Sequence, residues 1–134
     1  MIVFPFPPDP SINYIKRVIG LPGERLEISK DLVFINGELI EEPYAYFEPK
    51  EMNSRQVRGL MDATPVSRYG PIMIPEAKLF VMGDNRYNSA DSRYWGFVEL
   101  ETVKSKAWFI YWSQNPDNDT FEGINFDRIF KKIE

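Results

Sequence analysis

Leu32-Val33-Phe34-Ile35-Asn36-Gly37-Glu38-Leu39-Ile40 is the stretch on which the fold class turns. Two runs rich in β-branched and apolar residues flank Asn36-Gly37, the dipeptide best suited to a two-residue turn with both central residues at positive φ. The stretch reads as a β-hairpin with a type I′ turn. Its neighbours agree. Arg25-Leu26-Glu27-Ile28 alternates with period two, as a strand with one buried face does. Residues 13–20 form another strand candidate, stopped by Gly20-Leu21-Pro22-Gly23, and Ile2-Val3-Phe4 opens the chain in the same manner. Residues 78–82 and 106–112 are two more. The run 106–112 is apolar on both faces, which places it at the centre of a sheet.

Helical patterning is sparse. Residues 99–103 allow one turn, and 127–133 a short terminal helix or a strand. Pro7-Pro8-Asp9-Pro10 reads as an extended turn, because each proline biases its predecessor away from helix. Residues 41–74 are polar, proline-bearing and weakly patterned, and read as an excursion from the core, either an exposed ribbon or a long loop. With 134 residues the chain is expected to form one domain over 1–134. The expected class is all-β, a folded antiparallel sheet or a barrel-like arrangement.

Composition narrows the chemistry. There are no histidines, so a Ser-His-Asp or Cys-His arrangement within this chain is excluded. There are no cysteines, which removes thiol nucleophiles, disulfides and thiolate metal sites. Carboxylates, lysine and tyrosine remain as general bases. A net charge of −4 argues against nucleic acid as a partner. No run approaches the roughly 18 apolar residues of a membrane span, and the apolar start of the chain is too short for a signal peptide.

The densest polar cluster is Gly83-Asp84-Asn85-Arg86-Tyr87-Asn88-Ser89-Ala90-Asp91-Ser92-Arg93-Tyr94-Trp95-Gly96. It is either a connecting loop that hydrogen-bonds its own backbone or a site that holds another group. It does not fit a calcium loop: counted from Asp84, the third position is Arg86 and the sixth is Ser89 instead of glycine. Asp91 and Arg93 are spaced to form an ion pair, and Ser89 and Ser92 are available as donor, acceptor or nucleophile. In Tyr14-Ile15-Lys16-Arg17-Val18-Ile19, alternation places Lys16 on a face with Tyr14 and Val18. Two readings stay open for it. The ordinary one is an edge strand with snorkelling cations; the other is a desolvated lysine whose amine can act as a base. Gly20-Leu21-Pro22-Gly23 lacks the lysine and following helix of a phosphate loop and reads as a tight turn. The tryptophans and phenylalanines read as core. Nothing in the pattern calls for a cofactor or a metal.

Tyr14-Ile15-Lys16-Arg17-Val18-Ile19-Gly20-Leu21-Pro22-Gly23-Glu24 and the 83–96 cluster together resemble two signature boxes of bacterial type I signal peptidases. The strand at Ile2-Val3-Phe4 and the run 106–112 also resemble that family, so the likeness covers nearly the whole chain and is weakest over 41–74. It implies a membrane-bound serine endopeptidase, its catalytic domain on the extracytoplasmic side of the bacterial plasma membrane. Such an enzyme removes signal peptides from exported preproteins after small residues, with a lysine as base. By the resemblance Lys16 is the general base, Ser89 orients it, and Asp91 and Arg93 brace the pair. Arg17, Asp84 and Arg86 belong to the same polar shell, and Val3, Tyr14 and Ile15 line substrate pockets.

One departure follows. The family's nucleophilic serine lies in a Ser-Met-x-Pro-type segment well before the lysine, beside the membrane anchor. Only fifteen residues precede Lys16 here, and they hold one serine, Ser11, in a different setting. The expectation is a soluble catalytic-domain fragment without its nucleophile and anchor, inactive alone. Three alternatives remain: a non-catalytic β-domain that binds extended peptides by strand addition, an enzyme using Ser89 or Ser92 as nucleophile, and a self-cleaving repressor domain.

Overall fold

The computed structural model describes residues 1–47 and 67–106. Among these residues nine strands make two antiparallel sheets. In chain order they are β1 (Ile2–Phe6), β2 (Asp9–Gly20), β3 (Arg25–Ser29), β4 (Leu32–Ile35), β5 (Glu38–Leu39), β6 (Arg68–Met73), β7 (Lys78–Met82), β8 (Val98–Glu99) and β9 (Ser105–Lys106). One sheet has the order β8-β7-β2-β1-β9, the other β5-β4-β3-β6. Helix is confined, among the described residues, to α1 (Ser92–Trp95) and one 3-10 turn over Leu100–Thr102. The fold is all-β, as its sequence predicts.

The hairpin forms as expected. Asn36 (φ 54°) and Gly37 (φ 88°) both take positive φ, and β4 and β5 pair with Phe34 opposite Leu39. A side chain such as Leu or Val in place of Gly37 would be strained by that φ. The turn directs Leu26, Ile28 and Val33 inward against Ile19, Ile74, Phe80 and Met82, the first of two apolar cores. The second gathers Phe4, Leu79, Val81 and Val98, with Tyr14, Val18 and Trp95 against them. Alternate residues of β7 therefore serve opposite cores, and Leu79, Phe80, Val81 and Met82 are all buried. Among the described strands β7 is thus the one buried on both faces. The run 106–112, expected in that role, lies outside the described residues beyond Lys106, as does 127–133.

Three expectations change. The strand expected over 13–20 begins at Asp9, so that only Pro7 and Pro8 turn. The excursion expected over 41–74 narrows. Arg68–Met73 pairs with β3, with Ile72 opposite Leu26, and Ile74 is 1% exposed in the first core. The edge-strand reading of Lys16 fails, because β2 is flanked by β1 and β7. A period-two pattern reports faces and says nothing of how many neighbours a strand has.

Candidate active site

Lys16 lies where β2 meets both neighbours. Its Cα partner on β1 is Ile2, and Arg17 pairs with Met82 on β7, which puts Gly83 next to the lysine across the ladder. The amine emerges among Tyr14, Val18 and Ile2, apolar bodies at the rim of the second core. It sits 5.1 Å from the centroid of the Tyr14 ring and makes no ion pair among the described residues. Burial pushes its pKa below the ordinary 10.5. Asp91 pulls it back up, Arg93 lowers it further, and Asp84 raises it.

Gly83 explains how Lys16 and Ser89 converge. A Cβ built on Gly83 would lie 3.7 Å from the Lys16 Nζ and 2.5 Å from the Ser89 Cβ, and would collide with the Ser89 Oγ. The Ser89 side chain therefore occupies the space that a side chain at position 83 would fill, and the Lys16 amine borders it. Ser89 is 5% exposed, and its hydroxyl has no hydrogen-bond partner among the described residues. An unsatisfied buried hydroxyl is uncommon and costly, and the Lys16 amine lies at the edge of the same space.

Asp91 and Arg93 form a buried bidentate pair, with Nε to Oδ1 and Nη2 to Oδ2 both at 2.8 Å. Asp91 caps α1 by accepting from the Arg93 N–H, and it also accepts from the Gly83 N–H at 3.0 Å. Arg93 Nη2 reaches the Arg86 carbonyl at 2.6 Å. One carboxylate thus ties helix, loop and the glycine together. Ser92 is a different serine: its Oγ accepts from the Val81 N–H at 2.9 Å, so its role is to hold α1 on β7.

Arg17 points to the other face of β2. It is bidentate to Asp84 at 2.8 and 2.9 Å, and its guanidinium lies 3.7 Å from the centroid of the Tyr44 ring. That hydrogen-bonded pairing holds its pKa above the usual value. Arg86 is 2% exposed and pairs with Glu42, which the sequence reading passed over. Nothing local marks Glu42: it stands in a polar stretch, and its partner lies 44 residues further on. Buried arginine in a charged box is the one hint that a distant carboxylate must exist.

The substrate-pocket candidates separate. Val3 and Ile15 are cross-strand partners, and Ile15 is 51% exposed. Tyr14 lies on the opposite face with Lys16, stacked on Phe6 at 4.3 Å. Ser11 is exposed and bonded to Asp9. No helix among the described residues is long and apolar enough to cross a membrane.

Comparison with known proteins points to one family. The family model described as "Signal peptidase, peptidase S26" matches residues 1–112. A signal peptidase I of Bacillus caldolyticus is 38% identical over 75% of this chain and 54% of its own length. A signal peptidase I of Pseudomonas fluorescens is 36% identical over 96% of this chain and 53% of its own length. The crystal structure of a signal peptidase I from Enterococcus faecalis V583 superposes with a TM-score of 0.58 at 37% identity, covering 79% of this chain and 91% of that one. The chain spans about half the length of these curated relatives. On the match over residues 1–112 and these identities, the chain belongs to the signal peptidase family, peptidase S26.

Proposed function

We propose that this chain carries the general-base half of a serine endopeptidase that removes N-terminal signal peptides from exported preproteins. The observation that carries this reading is the closeness of the Lys16 amine and the Ser89 hydroxyl at Gly83, with the amine partly buried and in no ion pair among the described residues. A lysine held below its ordinary pKa has a larger share of free amine near neutral pH, and only the free amine accepts a proton.

The chemistry runs as a Ser-Lys dyad. The amine takes the proton of a serine hydroxyl as that oxygen attacks the scissile carbonyl, then gives it to the departing amide nitrogen. Ser89 keeps the amine directed, and the Asp91–Arg93 pair fixes the loop that carries Ser89. Arg17, Asp84 and Arg86 hold the loop's other side. Val3 and Ile15, side by side and partly open, are assigned to one small-residue pocket, and Tyr14 to the wall nearest the amine. The nucleophilic serine is assigned, on the family resemblance, to a segment that precedes the lysine. Ser89 is buried, Ser92 is committed to Val81, and Ser11 is exposed and bonded to Asp9. The parent enzyme would be anchored in the bacterial plasma membrane and act on its outer side.

The test joins this chain to an N-terminal segment bearing the family's serine and offers it a signal-peptide substrate. Cleavage that disappears in Lys16→Ala, and no cleavage by residues 1–134 alone, is the expected outcome. Full cleavage after Lys16→Ala removes the mechanism. Binding without turnover in the joined chain favours a peptide-binding β-domain instead.

A further inference from the structure

Gly83 is held from both sides. Its N–H donates to Asp91 Oδ2 at 3.0 Å, and its carbonyl accepts from Arg86 Nε at 3.2 Å. Arg93 braces the Asp91 side. The Arg86 side has a separate brace, since Nη1 and Nη2 donate to the two carboxylate oxygens of Glu42 at 2.8 and 2.5 Å. A two-pronged pair of this kind fixes the direction of the guanidinium as well as its position. Arg86 is 2% exposed and the Glu42 side chain 9%, so water cannot replace the carboxylate. Glu42 is itself anchored. The Tyr44 ring covers Arg17, the Tyr46 N–H donates to the Asp84 carbonyl at 2.8 Å, and the Tyr46 carbonyl accepts from the Arg86 N–H at 2.7 Å. Residues 42, 44 and 46 thus each grip the candidate site at a different point.

We propose that Glu42 is a positioning residue of the Lys16–Ser89 site, acting through Arg86 on the Gly83 carbonyl so that the open face of this glycine stays beneath the amine and the hydroxyl. The proposal rests on the reading of Lys16 as the base. It gives the loop two carboxylate braces, Asp91 on the Gly83 N–H and Glu42, through Arg86, on the Gly83 carbonyl, tied to each other by the Arg93 hydrogen bond to the Arg86 carbonyl.

The experiment follows the Lys16 amine by NMR of the ε-carbon across a pH titration, together with hydrogen exchange of the Gly83 amide, in residues 1–134. The charges that face Lys16 are Asp91, Arg93 and Asp84, and Glu42 is not among them. A change at Glu42 therefore reaches the amine through geometry. In Glu42→Gln the Lys16 midpoint should move up toward 10.5 as water enters, and Gly83 exchange should quicken about tenfold, with Glu42→Asp recovering part of both. A folded Glu42→Gln chain with both readings unchanged overturns the proposal. If Glu42→Gln does not fold, Glu42→Met with Arg86→Met leaves no buried charge unpaired. A raised Lys16 midpoint there supports the proposal, and an unchanged one overturns it. A wild-type Lys16 that titrates at 10.5 defeats the base assignment alone, while Gly83 exchange still reports on Glu42.

Discussion

Lys16 and Ser89, far apart in the sequence, both neighbour the bare Cα of Gly83: the serine fills the space of the missing side chain, and the lysine amine borders that space. Gly83→Ala inserts a methyl group into that space. The Ser89 Cβ lies 2.5 Å from where that methyl would sit, so overpacking should cost about 1–3 kcal/mol. Urea unfolding measures this, and in a cleavage-competent chain the same change should abolish turnover.

Ser89 and Ser92 are three residues apart and both buried, yet they should respond oppositely to truncation. The Ser89 hydroxyl is buried with no hydrogen-bond partner among the described residues, so Ser89→Ala removes an unsatisfied group and should leave the chain as stable or more stable. Ser92→Ala leaves the Val81 N–H without its acceptor and should cost about 1–3 kcal/mol. Chemical denaturation of the two variants separates a serine kept for function from one kept for structure.

Two ion pairs give a similar contrast. Asp91→Ala strands the buried Arg93 guanidinium and the Gly83 N–H, at a cost of about 3–5 kcal/mol. The Lys78–Glu99 pair is as short, 2.8 Å, but its side chains are 36% and 48% exposed. Glu99→Ala there should cost less than about 1 kcal/mol. Thermal melts of both variants test the difference.

Lys16 makes the fold less stable at neutral pH, and the sign follows from its lowered pKa. Between the folded value and 10.5 the unfolded chain binds a proton that the folded chain does not, so stability rises with pH across that window. Below the folded value the whole penalty is present. Lys16→Met removes it and should stabilise the chain at pH 7, with the gain over wild type shrinking as the pH climbs toward 10.5. Urea midpoints at several pH values test the trend.

What the sequence disclosed depended on whether the signal was local. The hairpin at 32–40 was legible because Asn36-Gly37 favours one turn, and the 83–96 loop because its charged groups have fixed directions. Arg68–Met73 was hidden by Gly70-Pro71 within a strand whose residues are mostly exposed. Glu42 was hidden because an isolated carboxylate has no period, and its meaning comes only from Arg86. The central place of β2 was equally silent, since alternation describes faces and not neighbours.

The most direct test is the titration of the Lys16 amine in the wild-type chain. The account predicts a midpoint displaced below 10.5, with Ser89→Ala changing the line shape or midpoint because the serine fills the space that the amine borders. An amine that titrates at 10.5 and is indifferent to Ser89→Ala would contradict it.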